Sequence, residues 1–518
     1  MGQPMFILAE DTSRTHGRDA QSSNIRAGKA VANAVRTTLG PRGMDKMLVS
    51  DSGDVVITND GATILEKMDI EHPAAQMIVE VATTQEEEVG DGTTTASVLA
   101  GQLLAQAEDL FEDDVHPTTI VEGYHEASRI ALETIESLVL DDELDDELLR
   151  KVAESSMTGK GTGDIEADAL AKTVVAAIRH VQGDERVERD DVVVRTQTGA
   201  ATSATELVEG VIFDEEPAHD NMPRKVEDAS IAVLDLDLDL RESNIDAEYN
   251  VTDIDQLTAA FEAEEGELRG YADALKEAGV DVAFVTGDIE DRVASMLANH
   301  GILAFESISK DDARAIARAT GAKTVGSVKD LEAADFGHAE SVKVRKFGDS
   351  ELTFIEGGAA AKAVTVFARG GTEHVADELE RALNDALDVV TAALDKGGVV
   401  PGAGATEIAI ADAVRAQAAG IEGRKQLAVE AFADALDVIP RTLAENTGMD
   451  PIDALVDLRA THENEGVAGV ISQGQTGVIG NPIEAGVLDP AAVKREAIES
   501  ATEAATMIVR IDDVIASN

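Results

Sequence analysis

Residues 90–95 read GDGTTT, two glycines around an aspartate followed by three threonines. Gly90 and Gly92 carry no Cβ, which lets successive backbone N–H groups point in one direction. The three threonines stand where a helical pattern begins, so hydroxyl groups and a helix N-terminus meet at one place. This combination predicts a phosphate site. A glycine turn followed by an ordinary threonine helix cap explains the same residues equally well.

Asp91 lies inside this stretch, and its charge would repel a bare phosphate. The carboxylate fits if it holds a hard cation such as Mg²⁺, which usually takes one or two carboxylates together with phosphate oxygens. The two common nucleotide fingerprints, GxxxxGK[ST] and GxGxxG, are absent from the sequence. A magnesium–phosphate site of another kind is therefore predicted.

Three further short clusters lie in the two end segments of the chain: TLGPRG at 38–43, TNDGAT at 58–63 and PGAG at 401–404. Each cluster alone is explained by a turn, a helix entry or a solvated carboxylate. Their order along the chain, together with GDGTTT, makes the set informative.

The end segments have helical periodicity, for example over 96–110 and 120–140. A hairpin is predicted from strands at 46–49 and 55–58. A strand is also predicted near each terminus: one at 5–8 and one at 506–511. Because unpaired strand edges recruit partners, the hairpin and the terminal strands predict contacts between subunits.

The middle of the chain has a different pattern. Residues 230–240 (SIAVLDLDLDL) alternate apolar and acidic side chains, which predicts a half-buried strand. Strand and helix patterns alternate over 282–325 and predict an α/β layer with a parallel sheet. Residues 342–347 and 351–355 predict a hairpin, and residues 245–277 an acidic amphipathic helical insertion.

The charge balance restricts the possible partners and the environment. The chain has 101 Asp and Glu against 43 Lys and Arg, a formal net charge of -58, and the acids are spread over its whole length. Repulsion of this size opposes folding in dilute buffer but is screened at about 1 M salt, where the Debye length is roughly 3 Å. We therefore predict a folded protein from a salt-accumulating organism. No basic surface for nucleic acid is expected.

Other parts of the composition exclude several classes of site. Cysteine is absent, which rules out disulfides and thiolate metal sites, and aromatic residues make up only 3% of the chain. Cores of aliphatic side chains are therefore expected. No stretch of about twenty apolar residues occurs, and the apolar run near the N-terminus is too short for a signal peptide. A cytoplasmic protein that does not enter a membrane is predicted.

The four clusters, together with ERALNDAL at 380–387 and GVLDP at 486–490, resemble the chaperonins over essentially the whole chain. The resemblance implies an α+β multidomain fold in three parts. A helical equatorial ATP-binding domain comprises 1–145 and 401–518. A small intermediate domain comprises 146–213 and 365–400. An α/β apical substrate-binding domain comprises 214–364, with a helical lid protrusion at 245–277.

The resemblance also implies the site residues and the cofactors, ATP and Mg²⁺, with K⁺ as a further candidate. Asp91 would bind Mg²⁺, and Asp385 would activate the attacking water with Asp60 as its carboxylate neighbour. The implied ATP-binding residues are Leu39, Gly40, Pro41, Gly61, Gly92, Thr93, Thr94, Thr95, Gly402, Ala403 and Asp489, the last meeting the ribose hydroxyls. The family's loop at 402–404 carries three glycines, whereas its middle residue here is Ala403.

Two features favour group II of the chaperonins, the thermosome type. The insertion at 245–277 resembles the lid built into group II subunits, so no separate co-chaperonin is expected. SMTGK at 156–160 resembles the loop whose lysine, here Lys160, senses the γ-phosphate. The implied function is an ATP-hydrolysing chaperone that encloses unfolded proteins in two stacked rings of identical or paralogous subunits.

Two other functions are weighed against this one. A small-molecule kinase or ligase predicts His, Arg or Lys side chains converging on an acceptor, and the sequence shows no such set outside the clusters. A ring-forming structural protein with weak or lost ATPase activity predicts degraded carboxylates, whereas Asp60, Asp91 and Asp385 are all in place.

The charge generates a prediction about salt. On dilution below about 1 M KCl, ring integrity and ATPase activity should fall together, because unscreened repulsion between subunits grows. Particle size and ATP turnover measured along a KCl series test this. A ring that stays assembled and active in low-salt buffer would contradict the adaptation to salt.

Overall fold

The computed structural model describes residues 12–50, 53, 55–140, 143–159, 167–182, 186–187, 189–240, 254–348, 350–358 and 363–517. The predicted strand at 5–8 and the predicted phosphate sensor Lys160 lie outside the described residues.

The strands in the described residues are β1 (Thr12–His16), β2 (Lys46–Val49), β3 (Val55–Thr58), β4 (Val192–Thr198), β5 (Glu206–Val208), β6 (Gly210–Phe213), β7 (Lys225–Leu234), β8 (Val282–Val285), β9 (Leu303–Phe305), β10 (Thr324–Val325), β11 (Gly337–Phe347), β12 (Ser350–Gly358), β13 (Val364–Gly370), β14 (Val399–Pro401), β15 (Gly469–Gln473), β16 (Thr476–Gly480), β17 (Leu488–Pro490) and β18 (Asp513–Ser517).

The helices are α1 (Arg18–Val35), α2 (Gly61–Lys67), α3 (Pro73–Val89), α4 (Thr93–Glu112), α5 (Pro117–Leu138), α6 (Asp146–Met157), α7 (Ala167–Val181), α8 (Ile254–Ala278), α9 (Asp291–His300), α10 (Lys310–Thr320), α11 (Glu373–Asp395), α12 (Ala405–Ala418), α13 (Lys425–Leu436), α14 (Val438–Asn446), α15 (Pro451–Glu465), α16 (Pro482–Ala485) and α17 (Ala491–Val509).

The chain divides into two compact units, one formed by residues 1–175 and 381–518 and the other by residues 176–380. Helices and strands thus occur in a multidomain arrangement, and both ends of the chain contribute to the first unit. The finer division, with 146–213 and 365–400 as an intermediate domain of their own, stays a prediction.

The first unit is a bundle in which seven helices surround a mainly aliphatic core: α1, α3, α4, α5, α12, α13 and α17. Leu103 and Leu104 of α4 are fully buried there. Tyr124 packs edge-to-face on Phe432 with ring centroids 5.8 Å apart, and its hydroxyl donates to the Leu103 carbonyl at 2.8 Å. The buried phenol therefore has a partner, which makes its burial affordable.

The second unit is built on a mixed sheet with strand order β6-β12-β11-β7-β8-β9, and β10 also pairs with β7. Strands β8, β9 and β10 run parallel, as predicted. Strands β11 and β12 form the hairpin predicted at 342–347 and 351–355, and it joins the same sheet antiparallel to β7 and β6. Phe213, Phe284 and Phe305 meet in the core with centroids 5.1–5.3 Å apart.

The prediction of one alternating strand over 230–240 was wrong in its extent. Strand β7 ends at Leu234, and its last four residues are all buried because it is an inner strand of the sheet. Beyond it, the exposed Asp235 and Asp237 alternate with the less accessible Leu236 and Leu238 in a loop. The alternation of Leu and Asp in the sequence thus comes from a loop in which the leucines are less exposed than the aspartates.

The strand predicted at 506–511 was also wrong. Helix α17 continues to Val509, because Ala501, Ala505 and Ile508 extend its buried stripe. The terminal strand follows as β18 and pairs antiparallel with β1. The Arg14 guanidinium donates to Asp513 at 2.9 Å across this pair and holds the pKa of that carboxyl below its usual value. The strands of the predicted hairpin, β2 and β3, were correct.

None of the helices within the described ranges is long and apolar enough to cross a membrane.

The geometry of Gly210 generates a prediction for the second unit. Its φ is 148°, and a Cβ added there would lie 1.8 Å from the Ile355 carbonyl oxygen of the paired strand. Gly210→Ala should lower the free energy of unfolding by about 2–3 kcal/mol. Gly199→Ala is the matched control, because Gly199 also has a positive φ but no atom within 4 Å of the added Cβ; it should cost about 1 kcal/mol. Equal thermal midpoints for the two variants in high salt would contradict this account.

Candidate functional site

A cavity of about 410 Å³ lies within the first unit, a volume in the range of small-molecule sites. It gathers the described residues predicted to bind ATP and Mg²⁺ or to activate water, except Gly402. Those lining it are Leu39, Gly40, Pro41, Asp60, Gly61, Asp91, Gly92, Thr93, Thr94, Thr95, Asp385, Ala403 and Asp489. Residues far apart in the sequence thus line the same cavity.

The N-terminus of α4 opens onto this cavity without a side-chain cap. Its N-cap residue is Gly92, whose φ of 83° lies in the left-handed region. A Cβ there would lie 2.8 Å from Val493 Cγ1 and 2.9 Å from Gln85 Nε2, so no side chain fits. Uncapped N–H groups and the helix dipole make this end suited to an anion.

A second helix begins close by. Asp60 is the N-cap of α2, and its Oδ2 accepts from the Thr63 N–H at 2.7 Å. At Gly61, an added Cβ would lie 2.5 Å from the Thr94 hydroxyl oxygen. Glycine at this position therefore allows the starts of α2 and α4 to approach each other at the cavity wall.

Gln85 supports the loop before α4, a role that the sequence did not indicate. The side chain is fully buried, and its Nε2 donates to the Asp91 carbonyl at 2.7 Å and to the Val493 carbonyl at 3.2 Å. Its amide thereby ties the GDG loop to the start of α17. In the sequence, Gln85 precedes three glutamates and looks like part of a solvated helix face.

Ala403 adopts a left-handed φ of 57°, which is unusual for alanine. Its methyl faces Gly469, where an added Cβ would lie only 2.9 Å from it. The Ala403 carbonyl accepts from the Val470 N–H at 2.9 Å. The missing side chain of Gly469 thus makes room for the methyl. Gly402 is not part of the lining, and its N–H donates to the Val487 carbonyl at 3.0 Å.

Apolar side chains from α14 and β15 complete one part of the lining, namely Ile439, Leu443, Val470 and Ile471. The sequence does not single them out, because apolar residues at helical or strand spacing look like ordinary core. Such a surface suits a flat heterocycle.

Lys494, which lines the cavity, forms a buried ion pair with Glu407, and neither residue was predicted from the sequence. Lys494 Nζ lies 2.8 Å from Glu407 Oε1 and 2.8 Å from Asp489 Oδ2. Burial by itself lowers the pKa of Lys494, but the attraction of Asp489 and Glu407 outweighs it and raises the pKa far above its usual value.

Glu154 lies where α6 and the loop after it border the cavity. Burial, together with the hydrogen bond and the charge of Asp168, raises the pKa of Glu154. The hydrogen bond from Lys172 holds the pKa of Asp168 below its usual value. The loop is fixed by Asn59 Nδ2, which donates to the Gly159 carbonyl at 3.0 Å.

The cavity is strongly acidic. Lys494 is the only Lys, Arg or His among its described lining residues, which include six carboxylates: Asp60, Glu86, Asp91, Glu154, Asp385 and Asp489. In the described part of the chain no three His, Asp or Glu residues are grouped so that they alone could hold a metal ion. A Mg²⁺ ion bound by Asp91 would therefore complete its coordination with ligand oxygens and water.

The cavity thus combines the uncapped N-terminus of α4 with the carboxylates of Asp60, Asp91 and Asp385 in one lining. The model of the TCP-1/cpn60 chaperonin family matches residues 31–518. The chain belongs to this family.

Three thermosome subunits are similar to this chain over nearly its whole length. The chain is 72% identical over 519 residues to thermosome subunit 3 of Haloferax volcanii, covering 100% of this chain and 99% of that protein. It is 54% identical to thermosome subunit 1 of the same organism, covering 100% of this chain and 92% of that protein. It is 53% identical to thermosome subunit alpha of Halobacterium salinarum, covering 99% and 92%.

These similarities confirm the predicted class. The chain is a group II chaperonin of the thermosome type, an ATP-dependent chaperone that forms a ring chamber. The organisms of the relatives are halophilic archaea, in agreement with the prediction from the charge.

Proposed function

We propose that the cavity binds Mg-ATP and hydrolyses it, and that this reaction drives the ring to enclose unfolded proteins beneath a built-in lid. The observation that carries the proposal is the uncapped N-terminus of α4, which faces a cavity that Asp60, Asp91 and Asp385 also line. Phosphates would lie at Gly92 to Thr95 and at the Gly40-Pro41 turn. The donors at the helix start would be the N–H and hydroxyl groups of Thr93 to Thr95, because the Gly92 N–H already donates to Asp91 Oδ1 at 2.7 Å.

Hydrolysis needs a positioned water and neutralised charge more than a strong nucleophile. Asp385 would orient that water and accept its proton, with Asp60 nearby as a second carboxylate. Asp91 would hold Mg²⁺, which when bound neutralises charge on the phosphate oxygens. The excess of carboxylates in the lining supports the proposal that ATP binds only with cations, with K⁺ a candidate besides Mg²⁺.

The other end of the nucleotide would lie against the 402–404 loop. The left-handed Ala403 and the apolar side chains of Ile439 and Leu443 suit an adenosine group. Asp489 would accept hydrogen bonds from the ribose hydroxyls. The assignment of Lys160 to the γ-phosphate stays a prediction.

The lid proposal concerns residues 245–277, of which the structure describes α8 from Ile254 onward. The apolar face expected to pack against neighbouring lids is formed by Ile254, Leu257, Phe261 and Leu268. For Leu268 this expectation is wrong, because it is fully buried in the second unit with Ala272 and Leu275. The C-terminal half of α8 is thus an anchor. The other residues of that face, Ile254, Leu257 and Phe261, have side chains outside the described part.

Assembly into two stacked rings of identical or paralogous subunits is supported by exposed apolar side chains on the hairpin. Met47 of β2 is 65% exposed and Val49 is 64% exposed, and Ile57 of β3 is exposed as well. Surfaces of this kind mark protein contacts. Unfolded proteins are the proposed clients. The absence of a separate co-chaperonin, of nucleic acid and of membrane partners, and a cytoplasmic location, stay predictions.

The assigned roles predict different kinetic defects for two aspartates. Asp385→Ala should lower kcat by about 10²–10⁴-fold, because a proton acceptor is lost, while the Kd for Mg-ATP stays nearly the same. Asp91→Ala should instead weaken Mg-ATP binding. Asp395→Ala is the control, since Asp395 lies exposed on the same helix outside the lining. Turnover and equilibrium binding in high salt measure both effects.

Normal turnover by Asp385→Ala would remove this residue from the mechanism. Wild-type rings that neither bind nor hydrolyse ATP would contradict the whole proposal and favour the ring-forming structural protein.

The buried C-terminal half of α8 determines which residues can be removed in a test of the lid. Replacing residues 245–262 with a Gly/Ser linker spares Leu268, Ala272 and Leu275, so the second unit should stay folded. Assembly and ATP hydrolysis should persist, whereas protection of an enclosed substrate from protease should be lost. Replacing 263–277 as well is the contrasting variant and should unfold the second unit. A linker ring that still protects substrate in the presence of ATP would show that 245–262 is not the lid.

A further inference from the structure

Lys494 stands out among the charged groups of the nucleotide cavity. It lies in the first turn of α17 and is 8% exposed, and its ammonium lies between Glu407, which is 4% exposed, and Asp489. These three residues come from three elements: α17, α12 and β17. None of the steps proposed above uses Lys494 or Glu407.

The ion pair fixes one oxygen of Asp489. Lys494 Nζ contacts Oδ2 at 2.8 Å, and a Cβ added at Gly402 would lie only 3.1 Å from this same oxygen. Asp489 is otherwise the most accessible of the three, with its side chain 27% exposed at the cavity. A flexible carboxylate in water loses side-chain entropy when it binds a ligand. A carboxylate already held by an ion pair has lost that entropy before binding, so it binds the ligand at a lower entropic cost.

Glu407 holds Lys494 in turn. Its Oε1 accepts from Lys494 at 2.8 Å, while its buried Oε2 has no hydrogen-bond partner. A buried carboxylate oxygen without a hydrogen-bond partner lowers the stability of the fold. Packing alone therefore does not explain why a glutamate stands at this position. Glu407 follows Gly404 by three residues and therefore links the ammonium to the loop that carries Ala403.

We infer that Lys494, anchored by Glu407, is a positioning residue that sets ribose recognition by holding Asp489 with Oδ1 presented to the sugar hydroxyls. The inference rests on the proposed function. A positioning role for Lys494 differs from a purely structural role in one measurable respect. A residue that only stabilises the fold affects all nucleotides alike, whereas a positioning residue affects only nucleotides that carry ribose hydroxyls.

The test variant is Lys494→Met with Glu407→Gln. The single change Lys494→Met would leave Glu407 as an unpaired buried charge and endanger the fold, whereas the double change removes both charges at nearly constant volume. Equilibrium binding of Mg-ATP and of Mg-2′,3′-dideoxy-ATP is measured in high salt. Wild-type protein should prefer ATP by about 10- to 100-fold, the range for a hydrogen bond to a charged group.

In the double variant this preference should fall to about onefold, because the Kd for ATP rises while the Kd for the dideoxy nucleotide stays the same. KM for ATP should rise with kcat unchanged at saturation. Lys29→Met with Glu108→Gln is the matched control. It removes a Lys–Glu pair, 2.7 Å apart and away from the cavity, and should keep the preference.

A folded double variant that keeps the wild-type preference would overturn the inference, as would loss of the preference in the control. Wild-type protein that binds both nucleotides equally well would also overturn it, together with the assignment of Asp489 to the ribose, and would leave the proposed binding and hydrolysis of Mg-ATP intact. Binding of neither nucleotide would overturn both. Glu407→Gln alone keeps Lys494 paired with Asp489, so it should fold and reduce the preference about threefold; an unchanged preference would refute the anchoring role.

Discussion

The start of α4 is the feature on which the rest of the site depends. A helix N-terminus leaves backbone N–H groups without partners, and a side-chain cap normally satisfies some of them. Here Gly92 occupies the cap position and offers no side chain. Gln85 and Val493 close the space behind it, which keeps glycine the only residue that fits. The Gly92 N–H donates to Asp91 Oδ1, and the N–H groups of the first turn, Thr93 to Thr95, remain available for a ligand on the cavity side.

Electrostatics sets the second constraint. The lining carries more carboxylates than cations, so an anion alone would be repelled from the helix end that suits it. Metal and nucleotide are expected to bind as one neutralised species. Elsewhere the excess of acids lies on surfaces, while the core of the first unit is aliphatic. High salt thus screens the surface without weakening the packing that shapes the cavity.

The sequence predicted the elements with local signatures well. The hairpin at 46–58 and the alternation over 282–325 had clear periodicity and turn residues, and the structure agrees. The predictions from the sequence failed where tertiary packing determines whether a segment is helix or strand. Residues 506–509 have β-branched character, yet the buried stripe of α17 keeps them helical. In the site, residues in glycine-rich motifs were predicted, whereas Gln85 and Lys494 were missed because burial, which only the fold reveals, gives them their roles.

The most direct test of the account is a high-salt electron microscopy map of assembled particles with Mg²⁺, ADP and beryllium fluoride. We expect density for the phosphate mimic at the N–H groups of Thr93 to Thr95, with the metal on Asp91 and the attacking-water position beside Asp385. Nucleotide density outside this cavity, or an empty cavity in particles saturated with nucleotide, would contradict the claim that the uncapped start of α4 is the phosphate site.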